Sequence, residues 1–316
     1  MRGSVARAVL GAASFAMLLT MTSPAFAVDD DFKCRQTIDK GFVNYVKAIS
    51  KITQKCNDAS VKAGNGASAP GGSNIPACDT GGKLPIALQK MSDKITTKCD
   101  DAGITPSGIG WPATCPNFEG GSCTNAITNG ASIATCLDCI GKAAVAQAMD
   151  LYYASLTNGG TNSGLIKCQS TIGKTTTKFL QAKEKSLTKC RNAIDKGNGS
   201  LPCPAPGDGK AGPAIAKAES KKVTSICKAC GTGSTDGMTC TSQVFSPSSI
   251  GFPTTCPAVT VPHGGPACAA AINTIDDLVK CVDCVTEFKV DCADALSRPD
   301  QVPYPPECPG VFATPT

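Results

Sequence analysis

The sequence predicts an all-α chain of two tandem disulfide-stapled modules, each a long antiparallel helical hairpin plus a third helix carrying Cys-x-x-Cys. Three observations predict it. Twenty cysteines lie in a chain of 316 residues, the first of them at Cys34. Apolar residues recur at the 3.6-residue period in several long segments. One long pattern is written twice: Cys34 and Cys56 lie 22 residues apart, as do Cys168 and Cys190, and Pro106-Ser107-Gly108-Ile109-Gly110-Trp111-Pro112-Ala113-Thr114-Cys115-Pro116 is echoed by Pro247-Ser248-Ser249-Ile250-Gly251-Phe252-Pro253-Thr254-Thr255-Cys256-Pro257.

At the N-terminus Arg2 and Arg7 flank the start of an apolar run from Ala8 to Leu19, and Ala25-Phe26-Ala27 precedes Val28-Asp29-Asp30-Asp31. This is the pattern of a secretory signal peptide over residues 1–27, cut after Ala27. The run is shorter than the about 20 residues that span a bilayer. The most apolar later segment, Ser132 to Met149, contains Asp138 and Lys142, and no cysteine stands at the cleavage point to take a lipid. The mature chain is therefore expected to be soluble, secreted or periplasmic, with no transmembrane anchor. Export places the cysteines where thiols oxidise, which makes disulfides the default reading. Aromatic residues make up only 5% of the chain, with one Trp, so cores of Ala, Ile, Val and Leu are thin and gain from covalent staples. Losing Arg2 and Arg7 lowers the formal charge from +5 to +3, too mild to demand an anionic partner by itself.

The elements follow in order. Ile38, Phe42, Tyr45, Ile49 and Ile52 lie between Cys34 and Cys56 at helical spacing, and a helix of that length runs about 33 Å, so Cys34 cannot bond Cys56. A Gly-, Ser- and Pro-rich loop from Ala63 to Gly82 turns the chain back. A second helix opens at Pro85, carries Leu88, Met91, Ile95 and Cys99, and closes near Gly103. The hairpin implies nested bonds, Cys34–Cys99 and Cys56–Cys78. Each contributes about 3–4 kcal/mol on the chain-entropy model. A third helix, Ser132 to Leu156, holds Cys136 and Cys139, for which Cys123–Cys136 and Cys115–Cys139 are favoured among the possible pairings. The stretch Leu156 to Gly164 reads as a linker, giving modules 28–159 and 160–316. Eight cysteines fall in the first and twelve in the second, both even numbers.

The second module repeats the scheme. Cys168–Cys227 and Cys190–Cys203 are expected around a loop from Gly197 to Gly212, with Pro213 opening the next helix. A third helix, from Thr274 through Phe288, suggests Cys268–Cys281 and Cys256–Cys284. Cys230–Cys240 and Cys292–Cys308 would staple an extra loop and the tail. Trp111 and Phe252, flanked by Pro and a bonded Cys, are expected to plug the gap between hairpin and third helix.

No catalytic constellation emerges. Cys-x-x-Cys lies well inside a helix rather than at a helix start after a strand, which favours structural pairing over thiol–disulfide exchange. An oxidising compartment and even counts favour disulfides over zinc. Haem attachment needs His after the second Cys, where Ile140, Val285 and Gly231 stand. His263, the one histidine, lies in a Gly/Pro loop, and Asp276, Asp277, Asp283, Asp291 and Asp294 read as a solvated helical face. No cofactor and no metal is expected. Lysine is more suggestive: Lys47, Lys51 and Lys55 climb the first helix, Lys90, Lys94 and Lys98 the second, and Lys174, Lys178, Lys185 and Lys189 the fourth. Such stripes suit an anionic polysaccharide or lipid surface, with no sequence-specific nucleic-acid contact and no interleaved aromatics for single strands. An ordinary solvated face is the plainer explanation.

The runs Ile109-Gly110-Trp111 through Cys115-Pro116-Asn117-Phe118-Glu119 and Cys136-Leu137-Asp138-Cys139-Ile140 to Leu151-Tyr152-Tyr153, with the lysine-rich Cys34 to Cys56 segment, resemble a group of duplicated, cysteine-rich exported proteins of environmental bacteria. The resemblance spans nearly all the mature chain. It implies duplication and export and carries over no catalytic residue. The expectation is an exported structural or binding protein without catalysis, contacting anionic surfaces through its lysine stripes; the alternative is a thiol–disulfide oxidoreductase or zinc-binding protein using Cys-x-x-Cys.

Overall fold

The computed structural model describes residues 29–63, 75–119, 122–153, 162–204, 206–258, 268–301 and 308. The expected signal peptide and cleavage site, the expected boundary near Gly160, and His263 lie outside the described residues.

The chain is mostly helical. Helix α1 spans Asp30–Lys62, with Asp30 and Asp31 in its first turn, where carboxylates oppose the positive end of the helix dipole. Its buried stripe is Cys34, Ile38, Phe42, Tyr45 and Ile49, the apolar face that the spacing predicts. A single turn, α2 (Ile75–Cys78), brings the chain back into α3 (Lys83–Ile95), where the Asp79 carboxylate accepts the free N–H groups of Lys83 and Leu84, each at 2.8 Å. A π turn, Thr96–Asp100, extends α3 and presents Cys99. Helix α4 is Gly130–Tyr152, started by a reciprocal Asn129–Ser132 capping box. Helix α5 (Ser163–Ile194) parallels α1 in length, α6 is Ala211–Cys230, and α7 is Ile275–Ser297, opened by a Thr274–Asp277 capping box. A two-residue hairpin, β1 (Thr235–Asp236) with β2 (Thr239–Cys240), follows α6.

All twenty cysteines are disulfide-bonded, and each bond joins cysteines on the same side of residues 154–161. Cys34–Cys99, Cys56–Cys78, Cys190–Cys203 and Cys292–Cys308 are those expected from the hairpins and the tail. Six expected pairings are corrected. On α4 the bonds are Cys115–Cys136 and Cys123–Cys139, not Cys123–Cys136 and Cys115–Cys139; on α7 they are Cys256–Cys281 and Cys268–Cys284, not Cys268–Cys281 and Cys256–Cys284. The cause is a short antiparallel bridge. Thr114 pairs with Ala126, and Cys115 N–H donates to Asn125 O at 2.9 Å, which pins Cys115 beside the chain entering α4. Cys115 then faces the fully buried Cys136, leaving Cys123 for Cys139 one turn on. Thr255 with Ala271, and Cys256 N–H to Ala270 O at 2.7 Å, impose the same choice before α7.

The remaining corrections fall on α6. Cys168 bonds Cys230 rather than Cys227, and Cys227 bonds Cys240 in place of Cys230. Cys230 ends α6, and its carbonyl accepts the N–H groups of Val244 and Phe245, which folds the β hairpin back along the helix. Cys240 is thereby brought beside the earlier turn that holds Cys227.

The repeated Ile-Gly-aromatic-Pro segments form matching 3₁₀ turns ending at Gly110 (φ 87°) and Gly251 (φ 81°), left-handed positions that require glycine. They place Trp111 and Phe252 in the core, 3% and 5% exposed. That core is continuous through the chain: α1 packs against α5, and α4 against α7. Helices α1 and α5 run antiparallel, since Gln181 Nε2 donates to Ser50 Oγ at 2.9 Å while Thr188 Oγ1 donates to Asp39 Oδ1 at 3.0 Å.

Candidate functional site

The α1–α5 pairing opens a groove of about 910 Å³. On α1 it is lined by Gln36, Lys40, Val43, Asn44 and Lys47, which share one face of the helix. On α5 it is lined by Lys178, Gln181, Ala182, Lys185, Thr188, Lys189, Asn192 and Ala193, with Lys196, Asn198, Asp208 and Lys210 closing one end. Seven lysines therefore line it, against one carboxylate, Asp208, which is held by the N–H groups of Lys210 and Ala211 at 2.9 and 2.8 Å. All seven are exposed, and none of them is ion-paired among the described residues. Lys40 donates to Gln36 Oε1 at 3.0 Å. A second groove of about 640 Å³, between α5 and α6, shares Lys178 and adds Lys217, Lys221 and the buried, ion-paired Lys222.

Of the lysines singled out in the sequence, Lys47, Lys178, Lys185 and Lys189 are brought together here. Lys51 and Lys55 lie beyond the groove on α1, Lys174 is exposed on α5 outside it, and Lys90, Lys94 and Lys98 are exposed on α3 or its π turn, also outside it. Lys40, Lys196 and Lys210 complete the groove without having been marked in the sequence. Only for Lys40 was there a signal: it precedes Lys47 by seven residues, as Lys178 precedes Lys185, which keeps each pair on one helical face.

Behind the groove lies a second set of charges that the sequence conceals. Asp291 and Asp294, expected on a solvated face, are 6% and 3% exposed. Lys183 reaches Asp291 at 2.8 Å and Glu287 at 3.1 Å, and Arg191 Nε reaches Asp294 at 2.5 Å. These residues point to the opposite side of α5 from the groove lysines, toward α7. Elsewhere Lys289 pairs with the buried Glu119, Lys222 with Asp283, and Arg298 with Asp195 at 2.8 Å.

Asp39 has no exposed surface and accepts from Thr188, from Asn192 Nδ2 at 3.3 Å and from Ser297 Oγ at 3.4 Å. Burial, then the neighbouring Asp294 carboxylate, push its pKa up to about 7. Glu184, also buried, is held well above the usual carboxylate range by burial and by Asp294 and Asp39. Thr188 and Asn192 line the groove and cover Asp39 from solvent, so this acid pair shapes the site from behind and does not face its contents.

Chemically, a disulfide sulfur is neither a thiolate nucleophile nor a metal ligand. Among the described residues no group of three or more His, Cys, Asp or Glu is placed to hold a metal ion. Among the described residues, no helix is long and apolar enough to cross a membrane. The arrangement that remains is positive charge in a concave furrow open to solvent. No protein-family model matches the sequence, and neither the curated proteins nor the solved structures hold a significant match to it.

Proposed function

We propose that this protein is a non-catalytic binding protein of an oxidising, extracytoplasmic compartment that holds an anionic polymer in the α1–α5 groove. The observation that carries the reading is the convergence on one furrow of seven lysines, from two helices and a loop, that have no ion-pair partner among the described residues. Lysines spread over a solvated surface repel one another weakly and need no explanation. Lysines gathered along both walls of a groove, with no compensating carboxylate beyond Asp208, focus a positive potential that an anion relieves. Ten disulfides suit such a compartment and fix the helices that carry the charges. Attraction of this kind is sensitive to salt and indifferent to sequence.

The test is retention on heparin at low salt, followed by elution with rising salt. Lys185→Glu with Lys189→Glu is expected to lower affinity by about tenfold or more and to flatten the salt dependence by about one unit of slope per lysine lost. The matched double variant Lys90→Glu with Lys94→Glu, exposed on α3 and outside the groove lining, is expected to change affinity much less. No retention of the native protein at low salt, or equal losses in both variants, removes the proposal.

A further inference from the structure

Resting on that reading and narrowing it, we infer that the polymer is an acidic polysaccharide, a chain bearing hydroxyls as well as negative groups. The first reason is shape. The lysine row on α5, from Lys178 to Lys189, runs about 17 Å at 1.5 Å per residue, and α1 faces it across the furrow. A furrow of this form takes a chain along its length, whereas a planar lipid surface would touch only its crests. The exposed large apolar side chains among the described residues are Ile86, Met238 and Val244, and none of them borders the groove to act as a membrane anchor.

The second reason is what stands between the lysines. Asn44, Gln181 and Asn198 present amides, each of which donates and accepts hydrogen bonds. Gln181 uses its Nε2 on Ser50 Oγ at 2.9 Å, which leaves its carbonyl oxygen for a ligand hydroxyl. Phosphate, carboxylate and sulfate oxygens only accept, so an amide carbonyl offers them nothing. Sugar hydroxyls both donate and accept, and they use both ends of the amide. Among the described residues, none that lines the groove is an aromatic on which a base could stack.

The experiment compares three polyanions on the full mature chain with its disulfides intact: polygalacturonate, polyacrylate and polyphosphate, titrated calorimetrically at equal charge concentration and ionic strength. Polygalacturonate is expected to bind about tenfold tighter than polyacrylate, which carries the same carboxylates without hydroxyls. Asn44→Ala with Asn198→Ala, both at exposed positions, is expected to erase that preference and leave polyacrylate binding within about twofold. Polyacrylate binding also reports that the variant is folded. Equal binding of the two carboxylate polymers, a preference for polyphosphate, or parallel loss in the Asn variant overturns the polysaccharide inference while leaving the polyanion reading intact. Failure of all three polymers to bind at low salt overturns both.

Discussion

Replacing Asp39 by asparagine tests whether the buried acid behind the groove governs how stability depends on pH. Asp39 is fully buried on α1, facing Thr188, Asn192 and Arg191 of α5, Asp294 and Ser297 of α7, and Arg298 just beyond α7. Burial raises its pKa from 3.8 to about 7. The folded state therefore keeps a proton that the unfolded chain releases near pH 4. Below that point both states are protonated and the group costs nothing. As pH rises from about 4 to about 7 the unfolded chain gains a preference of about 1.4 kcal/mol per unit, and above 7 the loss levels off at about 4 kcal/mol. Glu184, Asp294 and Glu119 are displaced upward by burial too, so they tilt stability the same way. The native protein is thus expected to be more stable at pH 5 than at pH 8. The substituted amide cannot ionise and still accepts from Thr188 through its Oδ1, while its NH₂ meets the Nδ2 donor of Asn192, which must turn its Oδ1, partnerless among the described residues, toward it and release Thr188 O. In urea unfolding followed by circular dichroism, Asp39→Asn should lose about 1 kcal/mol at pH 4 from imperfect hydrogen bonding. At pH 8 it should gain up to about 4 kcal/mol. Parallel stability curves for the two proteins between pH 4 and 8 refute the reasoning.

Lys183→Met breaks the buried ion pair with Asp291 between α5 and α7 and should cost about 3 kcal/mol, while adding Asp291→Leu should restore much of it, because an apolar pair replaces a buried ion pair at little net cost; urea midpoints of the two variants check this, and equal destabilisation contradicts it. Non-reducing peptide mapping should find Cys115 joined to Cys136, Cys123 to Cys139 and Cys168 to Cys230. Thiol titration of the native protein should find none, and a Cys-x-x-Cys that titrates under mild reductant would speak for the redox alternative.

The helices were readable from sequence because their apolar stripes are long and periodic, and the terminal bonds of the first hairpin followed because a rod of known rise allows few partners. Choosing between Cys136 and Cys139, or between Cys227 and Cys230, was a different problem. Positions three apart share a face, so the selection passes to the loop, and the deciding features are the Thr114–Ala126 and Thr255–Ala271 bridges, two-residue contacts with no compositional signature. The buried carboxylates escaped for a related reason. Asp291 and Asp294 look solvated because their partners, Lys183 and Arg191, lie more than a hundred residues earlier. Half of the groove was visible as stripes on single helices, but nothing in one helix says which stripe will face another. The pairing of α1 with α5 selected Lys47, Lys178, Lys185 and Lys189 and left Lys51, Lys55 and Lys174 outside.

That pairing has a consequence for how the groove is held. Its walls come from α1 and α5, and no disulfide joins the part of the chain before residue 154 to the part after 161. Covalent staples therefore fix each wall internally and leave the distance between walls to packing and to polar contacts: Asp39 with Thr188 and Asn192, Ser50 with Gln181, Glu119 and Gln147 with Lys289, and Tyr152 with Thr286. Buried pairs of this sort add little net stability, but their directionality fixes register where an interface of Ala, Val and Leu would tolerate sliding. A shift of α5 by one turn along α1 would move its lysines by about 5.4 Å and turn the furrow's charge out of alignment. The polar contacts beneath the groove are thus what sets the spacing of the charges above it, and Asp39, at the junction of α1, α5 and α7, ties that spacing to the protonation state of the core.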